Sequence, residues 1–289
     1  MSATFATPSP DTAIATPPLR KRLLAHPLVR FVLAVLSVLV TMVLAGALSE
    51  QVPKAYRVGW PMLLMAVSVI GGYSAYVRWV EKRPLAELGR NGMGRELGRG
   101  LGLGALLVVV CSVVLLGAGV YTITGTSHWT ALVKPLPEQV FVAFLEEILF
   151  RAIVFRLLEK SWGTAVALVV STLLFALAHM PNESFTMLGA LATAVAGAAL
   201  SGAYLVTRRL WLPVGMHFAW NFLFDAVFAV PVSGHAARGW IQVTSSGPAW
   251  LSGGAYGIEA SVVTVLAWGI ATVLLLTLTR RRGQWRARP

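Results

Sequence analysis

Phe144-Leu145-Glu146-Glu147-Ile148-Leu149-Phe150-Arg151 sets two carboxylates and a guanidinium inside an apolar run that extends from residue 140 to residue 158. A charged side chain at the centre of a membrane helix costs about 2.5–3.5 kcal/mol on insertion scales. A chain keeps such groups only where they pair, face water or perform chemistry. The rest of the sequence has to say which.

The surroundings are those of a membrane protein. The 289 residues are 56% hydrophobic and only 12% charged, against roughly 25% charged in soluble domains. Apolar segments at 28–48, 60–76, 101–123, 137–160, 163–180, 185–206, 210–230 and 258–278 predict an all-α polytopic protein with about eight transmembrane helices. The membrane domain takes in residues 28–279. A Thr-, Pro-, Ala- and Ser-rich tail, 1–27, is expected to be disordered and cytoplasmic, and a basic cytoplasmic tail occupies 280–289. Ala45-Gly46-Ala47 resembles a leader cleavage site. The run before it exceeds the usual h-region of about 7–15 residues, so 28–48 reads as an uncleaved span. Residues 78–99 interleave cations with Leu85, Leu88 and Leu97, the pattern of an interfacial amphipathic helix or of a solvated loop. Gly189, Thr193, Gly197 and Ser201 recur every four residues and predict a small-residue face for close helix approach. Cys111 is the single cysteine, which excludes an intramolecular disulfide and reads as a small buried apolar group.

A net charge of +12 does not point to nucleic acid here, because the cations cluster in short segments between apolar runs. All but five of the 24 Lys and Arg residues fall on one side of an eight-span arrangement. Lys54, Arg57, Lys134 and Arg238 fall on the other side, and Arg151 lies within the membrane. The asymmetry predicts both termini in the cytoplasm. The expected partners are the lipid bilayer and a protein or peptide substrate, with no nucleic acid.

Setting aside the interface charges leaves Glu146, Glu147, Arg151, His179, His217, Asn221 and Asp225 within the spans. Each needs a partner in hydrocarbon. Glu147 and Arg151 stand four apart with the acid first, the favourable order for a helical ion pair. Glu146 lies about 100° round the helix from Glu147 and lacks that local cation. It is therefore a candidate general base; the alternative is that both acids merely bond to Arg151. His217 and Asn221 share a helical face and suit an oxyanion site or, alternatively, a metal site. His179 follows Phe175 by four and suits a water-orienting or metal-ligating role. Asp225, one turn beyond Asn221, either pairs with another buried group or sits near the far interface. The chain has no His-Glu-x-x-His and no Gly-x-Ser-x-Gly. Hydrolysis by activated water, with no covalent intermediate, is the chemistry these groups support.

Glu146-Glu147-x-x-x-Arg151, Phe175-x-x-x-His179 and His217-x-x-x-Asn221, in that order over a motif core of residues 137–226, resemble the CPBP family of CAAX prenyl-protein endopeptidases and bacteriocin-processing proteins, also called Abi. The resemblance implies an intramembrane (metallo)endopeptidase in a bacterial cell membrane. In it, Glu146 and His179 activate the water, His217 and Asn221 stabilise the oxyanion, and Glu147 and Arg151 support the site. It implies either zinc or another divalent metal on Glu146, His179 and His217, or a metal-free glutamate mechanism. Two rival readings use the same polar groups: a proton- or ion-coupled transporter, and a non-catalytic immunity or scaffold protein. Straight helices would leave Glu146 and His179 in the outer half of the bilayer, with His217 only about 10 Å from the cytoplasmic end of its helix. Convergence then requires tilt, a late helix start or a break near Met180-Pro181.

Overall fold

The computed structural model describes residues 19–288. Most of the expected N-terminal tail, residues 1–18, lies outside the described residues. Its last stretch is instead a short helix, α1 (Leu19–Ala25), which leads into α2 (Pro27–Glu50). Hydrocarbon offers no partner for backbone N–H and C=O groups, so apolar runs of this length close their hydrogen bonds inside helices. Among the described residues, six helical runs are long and apolar enough to cross a membrane: Pro27–Glu50, Trp60–Glu81, Met93–Gly117, Trp129–Ala178, Met187–Thr207 and Val262–Arg281. The protein is an all-α polytopic membrane protein.

One of these runs is two rods. After α3 (Trp60–Ala75, prolonged to Glu81 by a π-helical turn) and α4 (Met93–Gly117), α5 (Leu136–Glu147) continues through a π-helical stretch, Ile148–Phe155, into α6 (Arg156–Ala178). Gly163 interrupts α6 with φ 77° and ψ 172°. The rings of Phe150 and Phe175 are 4.9 Å apart, whereas 25 residues of unbroken helix would separate them by about 37 Å. The chain therefore reverses at Gly163, giving rods 136–162 and 164–178. A Cβ at Gly163 would lie 2.9 Å from the Ala287 carbonyl carbon, so both the φ and the space call for glycine there.

Next come α7 (Met187–Thr207), capped by the Thr186 hydroxyl accepting from the Gly189 N–H at 2.9 Å, and α8 (Trp211–Phe222) with its π-helical continuation Leu223–Val227. A short α9 (Ala249–Ser252) and α10 (Val262–Arg281) complete the helices. Rod 211–227 is buried along nearly its whole length and packs against α4, α5 and α7.

Three boundaries differ from the sequence expectation. The third span ends at Gly117, and Tyr121–Thr126 forms a strand, β1, paired antiparallel with β2 (Ile241–Ser245). Gly119 at φ 68° ends the helical path, and Tyr-Thr-Ile-Thr favours extended backbone. The eighth helix starts at Val262, capped by Ser261. Residues 78–99 are neither a surface helix nor a plain loop. They divide between the end of α3, a buried turn at Ala86–Leu88 and the first turns of α4.

Four acids stitch the cation-rich end together. Glu81 and Glu87 pair with Arg83 and Arg156, Glu159 with Arg208 and Arg286, and Glu96 with Arg209. The Trp211 indole donates to the Gly89 carbonyl at 2.9 Å, tying the start of α8 to this end.

The predicted small-residue face of α7 does admit close neighbours, since a Cβ at Gly197 would come within 3.0 Å of the Phe175 ring. The tightest interlock was not anticipated: Gly100 and Gly104 of α4 against Gly215 and Met216 of α8. A Cβ at Gly100 would lie 2.3 Å from the Leu212 carbonyl oxygen, and one at Gly104 would lie 2.5 Å from that of Met216. Backbone cannot yield as a side-chain tip can. Gly100→Val is expected to destabilise the folded protein by about 1–3 kcal/mol, the range for overpacking, whereas Gly102→Val, with open space at that position, should be neutral. Thermal unfolding of the two purified variants in one detergent checks this, and equal melting temperatures would refute the interlock.

Candidate active site

Glu146 and Glu147 end the α-helical part of α5, and the π-helical stretch that follows carries Arg151. A π turn takes more than four residues, so it rotates the side chains after Glu147 relative to those before it; such insertions recur at functional sites. Glu147 and Arg151 are fully enclosed, 0% and 1% exposed. The Arg151 Nη1 donates to Glu147 Oε1 at 3.0 Å, and its Nη2 donates to the Gly197 carbonyl at 3.0 Å. The guanidinium also lies 4.5 Å from the centroid of the Phe175 ring. Gly197 thus serves twice: its missing side chain admits Phe175, and its carbonyl receives Arg151.

The Glu147 carboxylate has a second donor. His217 Nδ1 lies 2.8 Å from Glu147 Oε1, the oxygen that also receives Arg151. A carboxylate can only accept from the ring, so this nitrogen carries the proton and Nε2 points the other way. His179 is set in the same sense. It follows the last turn of α6, and its Nδ1 lies 2.8 Å from the Phe175 carbonyl, which likewise fixes the proton on Nδ1.

Both free Nε2 atoms face Glu146. His179 Nε2 is 3.8 Å and His217 Nε2 3.7 Å from the same Glu146 oxygen, Oε2. Those gaps exceed a hydrogen bond, and Glu146 Oε2 has no hydrogen-bond partner among the described residues. The Glu146 side chain is 21% exposed where that of Glu147 is closed off. The two neighbouring carboxylates therefore occupy different environments: Glu147 is enclosed with two donors on Oε1, and Glu146 lines a cavity.

That cavity, about 260 Å³, is walled by Glu146, His179, His217 and Asn221, with Thr193 of α7 and Trp220 of α8 behind them. Asp225 is not at its centre. It lies at the rim, where its carboxylate accepts from Gln139 Nε2 at 3.0 Å and from Arg238 Nη2 at 2.7 Å. Arg238 reaches on to Glu138 at 2.8 Å. Hydrogen bonding to Asp225, and then to Glu138, raises the pKa of the Arg238 guanidinium further above its ordinary value. Glu259 also lines the cavity, its carboxylate accepting from the Trp220 indole N–H at 3.1 Å; Gln139, Arg238 and Glu259 were not foreseen. Glu138 and Gln139 stand in a polar helix start that could have suggested a rim, but Arg238 and Glu259 come from the long 228–261 connection, which carries no periodic signal.

Among the described residues no group of three or more His, Cys, Asp or Glu side chains is set to hold a metal ion. Glu146, His179 and His217, the trio named from sequence, are not picked out as such a group, although two Nδ1-anchored imidazoles and a carboxylate are chemically apt donors.

A polar cavity between the helices of an apolar bundle, with unpaired acceptors converging on one point, has the make-up of a candidate active site. Residues 128–223, about a third of the chain, match the family model for Rce1-like proteins, described as type II CAAX prenyl endopeptidase Rce1-like. The match takes in α5, α6, α7 and α8, including Glu146, His179, His217 and Asn221, and it bears out the resemblance to the CAAX protease family. Comparison with curated proteins and with solved structures returned no significant match.

Removing Arg151 takes the compensating cation from the buried Glu147 carboxylate, which keeps His217 as a donor, and leaves the Gly197 carbonyl with the Ser201 hydroxyl. Arg151→Met is expected to cost about 3–5 kcal/mol of stability, the range for breaking one side of a buried ion pair. Arg151→Lys keeps the charge but offers no fork to span Glu147 and Gly197, and should fall between. Chemical denaturation of the three proteins in detergent micelles checks the order.

Proposed function

We propose that the chain is an intramembrane endopeptidase in which Glu146 and His179 activate a water molecule against a peptide bond. The carrying observation is the meeting of His179 Nε2 and His217 Nε2 on Glu146 Oε2 at 3.8 and 3.7 Å, inside the cavity. Gaps of that size suit a single small molecule bridging the three groups.

A water placed there gives one proton to Glu146 and a hydrogen bond to His179 Nε2, which is an acceptor because Nδ1 carries the proton. The oxygen adds to the scissile carbonyl carbon. The negative charge that develops on the carbonyl oxygen meets the Asn221 amide and, when its ring holds both protons, His217 Nε2–H; Glu147 behind the ring balances that second proton. Glu146 then passes its proton to the leaving nitrogen as the C–N bond breaks. Arg151 touches none of the reacting atoms. It holds Glu147, and Glu147 holds His217.

The metal reading that the family resemblance implies remains part of the proposal's test, with no step of this mechanism depending on it. The asymmetry of Lys and Arg supports both termini in the cytoplasm.

Glu146→Ala is expected to lower cleavage by at least about 10²–10⁴-fold, the usual contribution of a positioned acid–base group. His179→Ala should do the same, and Asn221→Ala should lose about 10²–10³-fold in kcat. The measurement is hydrolysis of an internally quenched peptide library by the purified protein, with and without chelator. Loss of activity on chelation, restored by zinc, would replace the metal-free mechanism. Undiminished cleavage by Glu146→Ala would overturn the assignment of the base.

A further inference from the structure

The two ends of the bundle differ in how they close. Toward the termini, the space beneath Glu147 and Arg151 is filled. Phe155 and Tyr204 pack edge to face with centroids 5.9 Å apart, and the Tyr73 hydroxyl lies 3.2 Å from Arg83 Nη2. Around them Glu81 and Glu87 are bridged by Arg83 and Arg156 at 2.6–3.4 Å. Tyr73 and Tyr204 are 0% and 3% exposed and Glu87 3%. A peptide arriving from that end would have to break this whole network to reach Glu146.

The opposite end is open. The cavity rim is made by Glu138 at the start of α5, Asn182 just after α6, and Ser233, His235 and Arg238 of the 228–261 connection. His235 and Arg238 are exposed. Every one of these positions lies at the end of the bundle away from the termini. That same end carries only Lys54, Arg57, Lys134 and Arg238 of the chain's cations.

We infer that the cavity opens on the extracytoplasmic face, and that its substrate is an extended peptide segment presented from that side, close to the bilayer. The inference rests on the peptidase reading for what the cavity does, and on the charge asymmetry together with the plugged cation-rich end for where it opens. Depth sets the form of the substrate. Glu146 stands ten residues into α5, about 15 Å below the helix start. An extended strand advances about 3.3 Å per residue, so a substrate needs roughly five residues free of folded structure between its globular part and the scissile bond. Val142, Phe150 and Ala178 form an apolar flank of the cavity, which suits a segment that emerges from the lipid surface rather than a free soluble chain.

Sidedness can be read without catalysis. In a Cys111→Ala background, which removes the sole thiol, single cysteines are introduced as His235→Cys at the rim, Thr124→Cys on exposed β1 at the same end, and Arg286→Cys at the other end. Intact cells are treated with a membrane-impermeant maleimide before and after permeabilisation. The expected result is labelling of His235→Cys and Thr124→Cys on intact cells, and of Arg286→Cys only after permeabilisation. Labelling of Arg286→Cys on intact cells, or of the other two only after permeabilisation, overturns the inference. Thr124→Cys keeps the test decisive should the rim variant misfold. Failure of the peptidase reading appears elsewhere, as a cavity that labels from outside in a protein that cleaves no member of the peptide library.

Discussion

One oxygen atom organises this bundle. Glu147 Oε1, closed off from solvent, accepts from Arg151 at 3.0 Å and from His217 at 2.8 Å. Taking a carboxylate and a guanidinium out of water carries a penalty of several kcal/mol per ion, and their mutual attraction offsets it only when the remaining donors and acceptors are satisfied. That requirement recruits neighbours for part of the pair, while Glu147 Oε2 and Arg151 Nε have no hydrogen-bond partner among the described residues. Arg151 must find a second acceptor, and Gly197 of α7 supplies its carbonyl; the exposed face of the guanidinium must be covered, and Phe175 of α6 lies over it. His217 brings in α8. A single buried pair on one helix thus fixes the placement of the three other helices that build the cavity, and the ring it orients is one that faces Glu146. In the proposed mechanism, stability and chemistry are linked through the same contact.

The sequence exposed what depends on helical period. The four-residue spacings 147–151, 175–179 and 217–221 place side chains on shared faces, and the hundred-degree step between Glu146 and Glu147 separates a paired carboxylate from one left for the cavity. Those relations are local, and local geometry is written in the chain. The bond from His217 to Glu147 spans 70 residues and has no local signature, so Glu147 read only as the partner of Arg151. The rim pairing of Gln139, Asp225 and Arg238 failed to appear for the same reason, since Asp225 found its partners in α5 and in a connection without periodicity. The β1–β2 pair joins segments about 120 residues apart. Glycines misled in a different way: the regular stripe on α7 attracted notice, whereas Gly100, Gly104 and Gly215, on two helices, make the tighter contact because each answers a backbone it cannot see in sequence.

The π-helical stretches show a second limit of periodic reading. One follows Glu147, one contains Asp225, and one carries Glu81 into the ion-pair network at the cation-rich end. Each lies where a charged group must be turned toward a partner on another helix. A wider turn weakens the regular hydrogen-bond ladder and is retained where packing over-determines it; here the enclosed contacts of Arg151 and Asp225 provide that over-determination.

Staggered helix starts account for the convergence of the four polar side chains. Glu87, Arg156 and the start of α8 lie at one level, joined by the Arg156–Glu87 pair and by the Leu210 N–H donating to the Glu87 carbonyl at 2.9 Å. From that level His217 is seven residues along from Leu210, about 10 Å, and Glu146 is ten residues from Arg156, about 15 Å. His179 would overshoot if its rod began there too. Rod 136–162 instead runs seven residues past Arg156 before Gly163 reverses it, so rod 164–178 starts about 10 Å lower and its 15 residues, about 22 Å, bring His179 back to about 12 Å above the common level. The rod is too short to cross a hydrocarbon core of about 30 Å from that start, so it ends at the depth of Glu146. A helix that stops inside the membrane leaves its last polar groups to be satisfied by protein and water, and irregular backbone at that depth is tolerated only against protein or a wet cavity. The positive φ at Gly163 and the helix end at Ala178 are therefore two parts of one device. The reversal lowers the fifth rod, and its early end makes room for water beside Glu146.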